Sequence, residues 1–261
     1  MPERPIDLHG DSIFLKKGPA TALAMFEAEA DGLSELRATG SIRVPAVLAC
    51  GLDDGESYIA LERLTFETPT RQCERRLGER LAELHRHCES RFGWFRDNTI
   101  GPTPQKNDWL SNWGDFFRER RLVFQFELAA RNGYEDELAS DAAKLLKRLP
   151  EFFAGYEPDA SLLHGDLWGG NWASVNGEPV IFDPAVYYGD RESDLAMTRL
   201  FGGFGRAFYE AYEASWPLAA GHEHRSGLYQ LYHVLNHLNL FGRSYLHQAQ
   251  SLLRGIIAGV A

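Results

Sequence analysis

The sequence predicts an α+β protein of two lobes, a small strand-rich N-terminal lobe and a larger, mainly helical C-terminal one. Short apolar runs of strand character crowd into the stretch before residue 66. Beyond Thr70 the spacing turns helical: Leu77, Leu81, Leu84 and Cys88 fall at i, i+4, i+7 and i+11 on one helical face. The composition agrees, since 261 residues with 44% hydrophobic, 12% aromatic and 25% charged side chains suffice for one large domain or two small ones. Such a balance excludes a disordered or fibrous chain.

In order along the chain, Ser12-Ile13-Phe14-Leu15-Lys16 reads as a strand and residues 20–37 as a helix. Ala46-Val47-Leu48-Ala49-Cys50 and Tyr58-Ile59-Ala60-Leu61 read as strands either side of the turn Asp53-Asp54-Gly55. The character changes near Glu67 to Thr70, which divides the chain into lobes 1–66 and 67–261 joined by a hinge. Helices are expected over 71–89, 109–130 and 135–149, with more after Asp194. Between Pro158 and Pro184, the apolar groups Leu162-Leu163 and Val180-Ile181-Phe182 flank Gly and Asn turns as short strands would. Pro102-Thr103-Pro104 marks a stiff loop. There is no internal repeat, low-complexity tract or long run of like charge.

The net charge of −10 sets a polyanionic partner such as nucleic acid aside. Three cysteines, Cys50, Cys73 and Cys88, without a C-x-x-C pair suit a reducing cytoplasm better than a disulfide framework. The N-terminal residues carry no apolar core of a secretory signal, and no run is long enough to cross a bilayer. The expectation is a soluble cytoplasmic protein, its oligomeric state open.

The densest chemistry lies in Leu163-His164-Gly165-Asp166-Leu167-Trp168-Gly169-Gly170-Asn171 and Val180-Ile181-Phe182-Asp183. Phosphoryl transfer from a nucleotide asks for a carboxylate to take the proton of the attacking hydroxyl and for oxygen ligands to a metal on the phosphates. Asn171 follows Asp166 by five positions and Asp183 follows it by seventeen, which fits base, metal amide and metal carboxylate. Gly169 and Gly170 permit the tight curl between base and amide. Asp183 ends an apolar strand and so faces the same cleft. Asp-x4-Asn alone would sooner be an Asx turn; the full string with its flanking strands favours kinase chemistry.

His164 to Asn171, together with Phe182-Asp183-Pro184-Ala185 and Tyr188-Gly189-Asp190-Arg191-Glu192-Ser193-Asp194-Leu195-Ala196, closely resembles the fructosamine kinase (ketosamine-3-kinase) family. The wider kin are aminoglycoside phosphotransferases and choline kinases, which share a protein-kinase-like fold. The stretches 98–107 and 113–122 look like further signatures of the same family, and the resemblance runs from Phe14 to the C-terminus. It implies a two-lobed protein-kinase-like fold, ATP and Mg²⁺ as cofactors, Asp166 as catalytic base, and Asn171 and Asp183 as Mg²⁺ ligands. It further implies that Lys16 grips the nucleotide phosphates, that Glu29 on the first helix pairs with it, and that the main chain of Glu62-Arg63-Leu64 meets adenine. Strand alternation puts Phe14 and Lys16 on one side without saying which side is the cleft.

The family pattern begins with a further strand and a glycine-bearing turn over the phosphates. Only Met1 to Asp11 precede the lysine strand here, so that turn is expected to be missing or reduced, through a late gene start or as a genuine short form. The activity implied is phosphorylation of the O3 hydroxyl of a small or protein-bound ketosamine, a deglycation repair step. Phosphorylation of another hydroxylated amine, or nucleotide binding with weak catalysis, are the alternatives.

A ketosamine carries an ammonium, so Asp190, Glu192 and Asp194 are candidates to lie near it, against the alternative that Asp190 and Asp194 cap a helix or pair with Arg191. Trp168 would stack on the sugar or pack in the core. His233 and His237, four apart on a helix, read as core or surface histidines rather than metal ligands. His222-Glu223-His224 lacks a partner cluster, and Gly202-Gly203-Phe204-Gly205 reads as a loop. No Ser, Cys and His form a nucleophile with its base.

Overall fold

The computed structural model describes residues 12–259. Met1 to Asp11, on which the expected loss of the glycine-bearing turn bears, lie outside the described residues.

Strands β1 (Ile13–Pro19), β2 (Val47–Asp53) and β3 (Glu56–Glu62) form an antiparallel sheet in the order β1-β3-β2. Asp54 and Gly55 both have positive φ, 48° and 80°, the two-residue hairpin geometry that matches strand twist. Helix α1 (Leu23–Ala38) buries Phe26, Leu33 and Leu36 and packs on β2 and β3.

The remaining chain forms α2 (Arg71–His85), β4 (Cys88–Glu89), β5 (Asn98–Ile100), β6 (Thr103–Gln105), α3 (Trp113–Phe117), α4 (Val123–Ala129) and α5 (Glu135–Phe152). There follow β7 (Ala160–Leu163), β8 (Trp172–Val175), β9 (Glu178–Ile181), β10 (Tyr187–Gly189), α6 (Glu192–Leu200), α7 (Arg206–Ser215), α8 (His222–Phe241) and α9 (Leu246–Gly259). The architecture is the mixed α+β one expected, a small strand-rich part and a larger helical part.

Thr70 caps α2 by accepting from the Cys73 N–H, and Leu77, Leu81 and Leu84 lie on its buried face. The approach of α7 is so close that a Cβ on Gly78 would stand 2.2 Å from the Phe208 carbonyl oxygen. The expected continuation of this helix to residue 89 does not occur. Cys88 and Glu89 instead pair with Ser161 and Ala160 of β7, and Cys88 is exposed rather than on the apolar face. The helix expected from Trp109 starts at Trp113, where Asn112 caps it, because Leu110 is held extended against Phe92. A wide π turn over Arg118–Leu122 joins α3 to α4.

The polar stretch 98–107 is explained by what it holds. Asn98 donates to the Val186 carbonyl, Gln105 to the Ala185 carbonyl, and the buried Arg121 to Asn107 Oδ1 and the Lys106 carbonyl. Hairpin β5–β6 is thereby fixed against the segment after Asp183 and touches α1. Hairpin β8–β9 is tied to the strand-rich part through Ile181 N–H to the Arg43 carbonyl, 3.0 Å, and to the connecting segment just beyond it through Glu67 N–H to the Ser174 carbonyl, 2.9 Å. These ties bring the ends of β7 and β9 to face β1 and α1.

Candidate active site

A cleft of about 420 Å³ opens where these parts meet, and Lys16, Glu29, Asp166, Trp168, Asn171 and Asp183 all line it. Beside it lies a more apolar hollow of about 290 Å³ lined by Phe14, Leu61, Leu64, Phe66 and Phe182, with Glu62 and Arg63 on its wall. The side of β1 bearing Phe14 and Lys16 is therefore the cleft side, which alternation alone left open.

Lys16 Nζ stands 2.6 Å from Glu29 Oε1 and 2.7 Å from Asp183 Oδ1. Burial works against its charge, but the two carboxylates outweigh it and hold the ammonium above its usual range. Burial dominates at Glu29, pushing its carboxyl up despite Lys16. Glu27, two positions earlier on α1 and so on nearly the opposite face, approaches Arg96 instead.

Asp166 follows Gly165, whose φ of +82° and hypothetical Cβ only 2.0 Å from the Ala185 carbonyl oxygen leave room for glycine alone. Burial, then the charges of Asp194 and Asp183, push the Asp166 carboxyl up to about 7. Asn171 Nδ2 donates to the Asp166 carbonyl at 2.9 Å, to Asp166 Oδ2 at 3.3 Å and to the Asp183 carbonyl at 3.4 Å. With its nitrogen so committed, the Asn171 amide oxygen is the atom left for the cleft. Asp183 sits at φ +56°, a left-handed conformation that Asp tolerates better than most residues. It is held there by its neighbours, since Phe182 N–H donates to the Asn171 carbonyl and Ala185 N–H to the His164 carbonyl.

Sequence reasoning gave no role to His164. Its ring is fully buried, with Nε2 2.9 Å from the Phe182 carbonyl and Nδ1 3.3 Å from the Asp166 N–H. A carbonyl only accepts, so Nε2 carries the proton and Nδ1 receives the Asp166 amide. Burial keeps the imidazole neutral by holding its pKa below the usual value. The ring thus pins the strand end before Asp183 to the loop carrying Asp166.

Asp190, Glu192 and Asp194 do not face the cleft, which corrects the expectation that they meet a substrate ammonium. Each finds partners inside the protein. Asp190 accepts from the Tyr156 and Tyr229 hydroxyls and from the Glu192 N–H at the start of α6. Glu192 takes two hydrogen bonds from Arg225, each 2.8 Å. Asp194 accepts from the His164 and Gly165 N–H groups at 2.8 and 2.9 Å and from His85 Nε2 at 3.2 Å. Burial opposes its charge, but the His85 contact, with those of His164 and Gly165, holds its carboxyl below the usual range. His85 accepts the Tyr212 hydroxyl at Nδ1, 2.8 Å, and Arg191 donates to that hydroxyl in turn. His85 sits on the buried face of α2 beside Leu84, a position that periodicity reads only as core.

The side chains of Glu62 and Arg63 are occupied elsewhere: Glu62 binds Arg43 and the Ala46 N–H, and Arg63 donates to the Ile13 carbonyl. What they and Leu64 can offer the hollow is main chain, and the Leu64 N–H has no partner among the described residues. Trp168 is 41% exposed at the mouth of the cleft, its ring over Gly170, where a Cβ would stand 2.3 Å from the indole. Gly202 and Gly203 form the expected loop, but it packs backbone to backbone on Gly169.

The family model for fructosamine kinase matches residues 4–259. The chain belongs to the fructosamine kinase family. It is 47% identical over 243 residues to a Synechocystis protein named as a probable ketoamine kinase, covering 92% of this chain and 81% of that one. It is 43% identical over 246 residues to the chloroplastic protein-ribulosamine 3-kinase of Arabidopsis thaliana, covering 93% of this chain and 75% of the relative. The crystal structure of a protein assigned as a fructosamine-3-kinase from Haemophilus somnus 129PT superposes with a TM-score of 0.88 at 32% identity, over 94% of this chain and 83% of the other. The aminoglycoside phosphotransferase APH(4)-Ia aligns at a TM-score of 0.63 and 17% identity, over 95% of this chain and 87% of the other, which establishes the shared fold. As a member of the fructosamine kinase family the chain is an ATP-dependent kinase of protein-kinase-like fold. Among the described residues no helix is long and apolar enough to cross a membrane.

Proposed function

We propose that the protein transfers the γ-phosphoryl group of ATP to the O3 hydroxyl of a ketosamine, an adduct of fructosamine or ribulosamine type. The observation that carries this reading is the convergence of Asp166, Asn171 and the Lys16–Glu29–Asp183 cluster in one cleft beside an apolar hollow, in a chain of this family. Phosphorylation at that carbon destabilises the sugar–amine bond, so the product falls apart and the amine is freed.

In this reading adenine occupies the hollow between Phe14, Leu64 and Phe182 and meets the main chain of residues 62–64. Lys16 turns from Asp183 to the phosphate oxygens while Glu29 keeps it aligned. Asp166 takes the proton of the O3 hydroxyl as the oxygen forms its bond to phosphorus and ADP departs. The Asn171 amide oxygen and the Asp183 carboxylate are hard oxygen donors that fit Mg²⁺. Among the described residues no cluster of three or more His, Cys, Asp or Glu side chains could hold a metal alone, so phosphate oxygens and water would complete the shell. When bound, Mg²⁺ neutralises charge on the phosphates. Trp168 lies against the sugar, whose C–H faces suit an aromatic plane.

We place the division between the lobes at residue 66 and the protein in the cytoplasm, where its three free cysteines stay reduced. ADP release with Mg-ATP across fructosamine and ribulosamine adducts, aminoglycosides and amino alcohols tests the reading. Turnover confined to ketosamines supports it; turnover confined to another acceptor class overturns it.

A further inference from the structure

Tyr188 opens the Tyr188 to Ala196 stretch that stands out in the sequence, yet its side chain takes no part in the chemistry of the cleft. It closes a short segment that begins at Asp183 and runs along α1. Backbone bonds hold that segment to the helical part: Ala185 N–H donates to the His164 carbonyl at 2.8 Å, Tyr188 N–H to the Gly93 carbonyl at 2.8 Å, and Gly93 N–H back to the Tyr188 carbonyl at 3.0 Å. Tyr187 pairs with Leu163 of β7.

Pro184, Val186 and Tyr188 alternate with Ala185 and Tyr187, as side chains on a strand do, and turn to α1. On the helix, Glu29, Gly32 and Glu35 follow at intervals of three, neighbours on its surface. Each of the three meets the segment. Glu29 reaches Asp183 through Lys16 Nζ, at 2.6 and 2.7 Å. A Cβ on Gly32 would stand 3.1 Å from Val186 Cγ2 and 3.6 Å from Pro184 Cγ, so a residue poorly suited to a helix interior is what lets helix and segment approach. The Tyr188 hydroxyl donates to Glu35 Oε1 at 2.6 Å. Lys16 thus stands at one end of the contact and Tyr188 at the other.

The bond at the Tyr188 end is of the strong, charge-assisted kind. Burial, and then Glu35, push the Tyr188 hydroxyl well above its usual range, so it remains a donor at neutral pH. Glu35 makes no other side-chain hydrogen bond among the described residues. Arg96 also reaches α1, at Asp31 and Glu27, but those carboxylates are partly exposed, where an ion pair contributes little.

Resting on the reading of Lys16 as the group that grips the phosphates, we propose that Tyr188 and Glu35 are positioning residues for phosphoryl transfer. Their hydrogen bond locks α1 along the segment after Asp183 and so keeps Glu29 where it aligns Lys16 on the nucleotide. Without the lock, α1 divides its time between aligned and shifted placements. Only the aligned one grips ATP fully, and the apparent affinity falls by the fraction aligned. Asp183 stays in place, because its segment is held by its own backbone bonds.

The test is ATP binding by calorimetry, whose stoichiometry counts folded protein, so that lost material is not read as lost affinity. Kd is measured for the wild type, Tyr188→Phe, Glu35→Gln, Lys16→Met and the double variant of Lys16→Met with Tyr188→Phe. Tyr188→Phe deletes one oxygen and should weaken ATP binding by about three- to tenfold. Glu35→Gln, whose amide oxygen still accepts the hydroxyl, should stay within about twofold of the wild type. In the Lys16→Met background the loss at Tyr188 should vanish, because the group it aligns is gone. A wild-type Kd in Tyr188→Phe, or the same loss repeated on top of Lys16→Met, overturns the lock while leaving the Lys16 reading standing. Lys16→Met with wild-type affinity overturns both.

Discussion

At Asp166 function and stability pull in opposite directions. Its carboxyl is raised to about 7 in the folded protein by burial, then by Asp194 and Asp183, against an ordinary value of about 4 in the unfolded chain. The folded state therefore binds the proton more tightly, and the site becomes a liability as pH rises from about 4 to about 7, then stays so above it. Asp166→Asn removes that liability. Without nucleotide or metal the variant should melt a few degrees above wild type, roughly as 1–2 kcal/mol would shift a chain of this size, at pH 8, with the gap closing toward pH 4. Equal melting at both pH values would contradict it. Lys16 makes a different prediction, because its charge is held by two carboxylates, Glu29 at 2.6 Å and Asp183 at 2.7 Å. Lys16→Met should raise the KM for ATP by roughly 10- to 100-fold, the scale of a charge-assisted hydrogen bond worth about 1.5–3 kcal/mol. An unaltered KM with lowered kcat would place Lys16 outside nucleotide binding. That Asp166, Asn171 and Asp183 meet in one cleft was legible because their spacing is local, and a loop of that length between two strands allows few arrangements. Asp190, Glu192 and Asp194 were misleading for the converse reason. Their partners, Tyr156, Tyr229, Arg225 and His85, come from distant parts of the chain, and an acidic run looks the same buried or exposed.

At the scale of elements, the loop carrying Asp166 is held from behind by α2 and α6. Asp194 on α6 accepts the His164 and Gly165 amides, and His85 on α2 holds Asp194. His85→Ala strips a fully buried donor from Asp194 and leaves the Tyr212 hydroxyl without its acceptor. Urea unfolding should show a loss of about 2–4 kcal/mol, combining a truncated buried ring with a broken polar network. In protein that remains folded, kcat should fall while the KM for ATP holds, since the loop moves and the nucleotide hollow does not. A fall in nucleotide affinity alone would contradict that division. Gly165→Ala is the sharper perturbation, since φ is +82° and the new Cβ would meet the Ala185 carbonyl oxygen at 2.0 Å. The loop must shift to admit it, and activity should be lost even where a melting curve survives. Strands and helices were legible at this scale wherever one apolar face recurred, as in α2 through Leu84. The end of α2 was not, because Cys88 leaves the helix to pair with Ser161, a contact across 73 positions that no local pattern contains.

At the scale of the whole molecule, the apolar hollow proposed for adenine adjoins the cleft in which Asp166 and the Lys16–Glu29–Asp183 cluster meet. Ligand that binds only the folded form stabilises it by mass action, about 2.7 kcal/mol at a hundred times Kd. Mg-ATP should therefore raise the melting temperature in a concentration-dependent way, and Asp183→Ala should blunt the Mg²⁺-dependent part of that rise. The two-lobed organisation was legible because the periodicity changes character past Thr70 and because the Phe182-Asp183-Pro184-Ala185 and His164 to Asn171 strings are specific. The contact of Tyr188 with Glu35 was not, since the two stand 153 positions apart and meet only where α1 packs on the segment after Asp183. Ketosamine phosphorylation with Asp166 as base is tested most directly by ADP release with Mg-ATP and a ribulosamine or fructosamine adduct. Release should require the adduct and fall by about 10²- to 10⁴-fold in Asp166→Asn, the range for a positioned general base. Release that ignores the adduct, or that survives intact in Asp166→Asn, would contradict it.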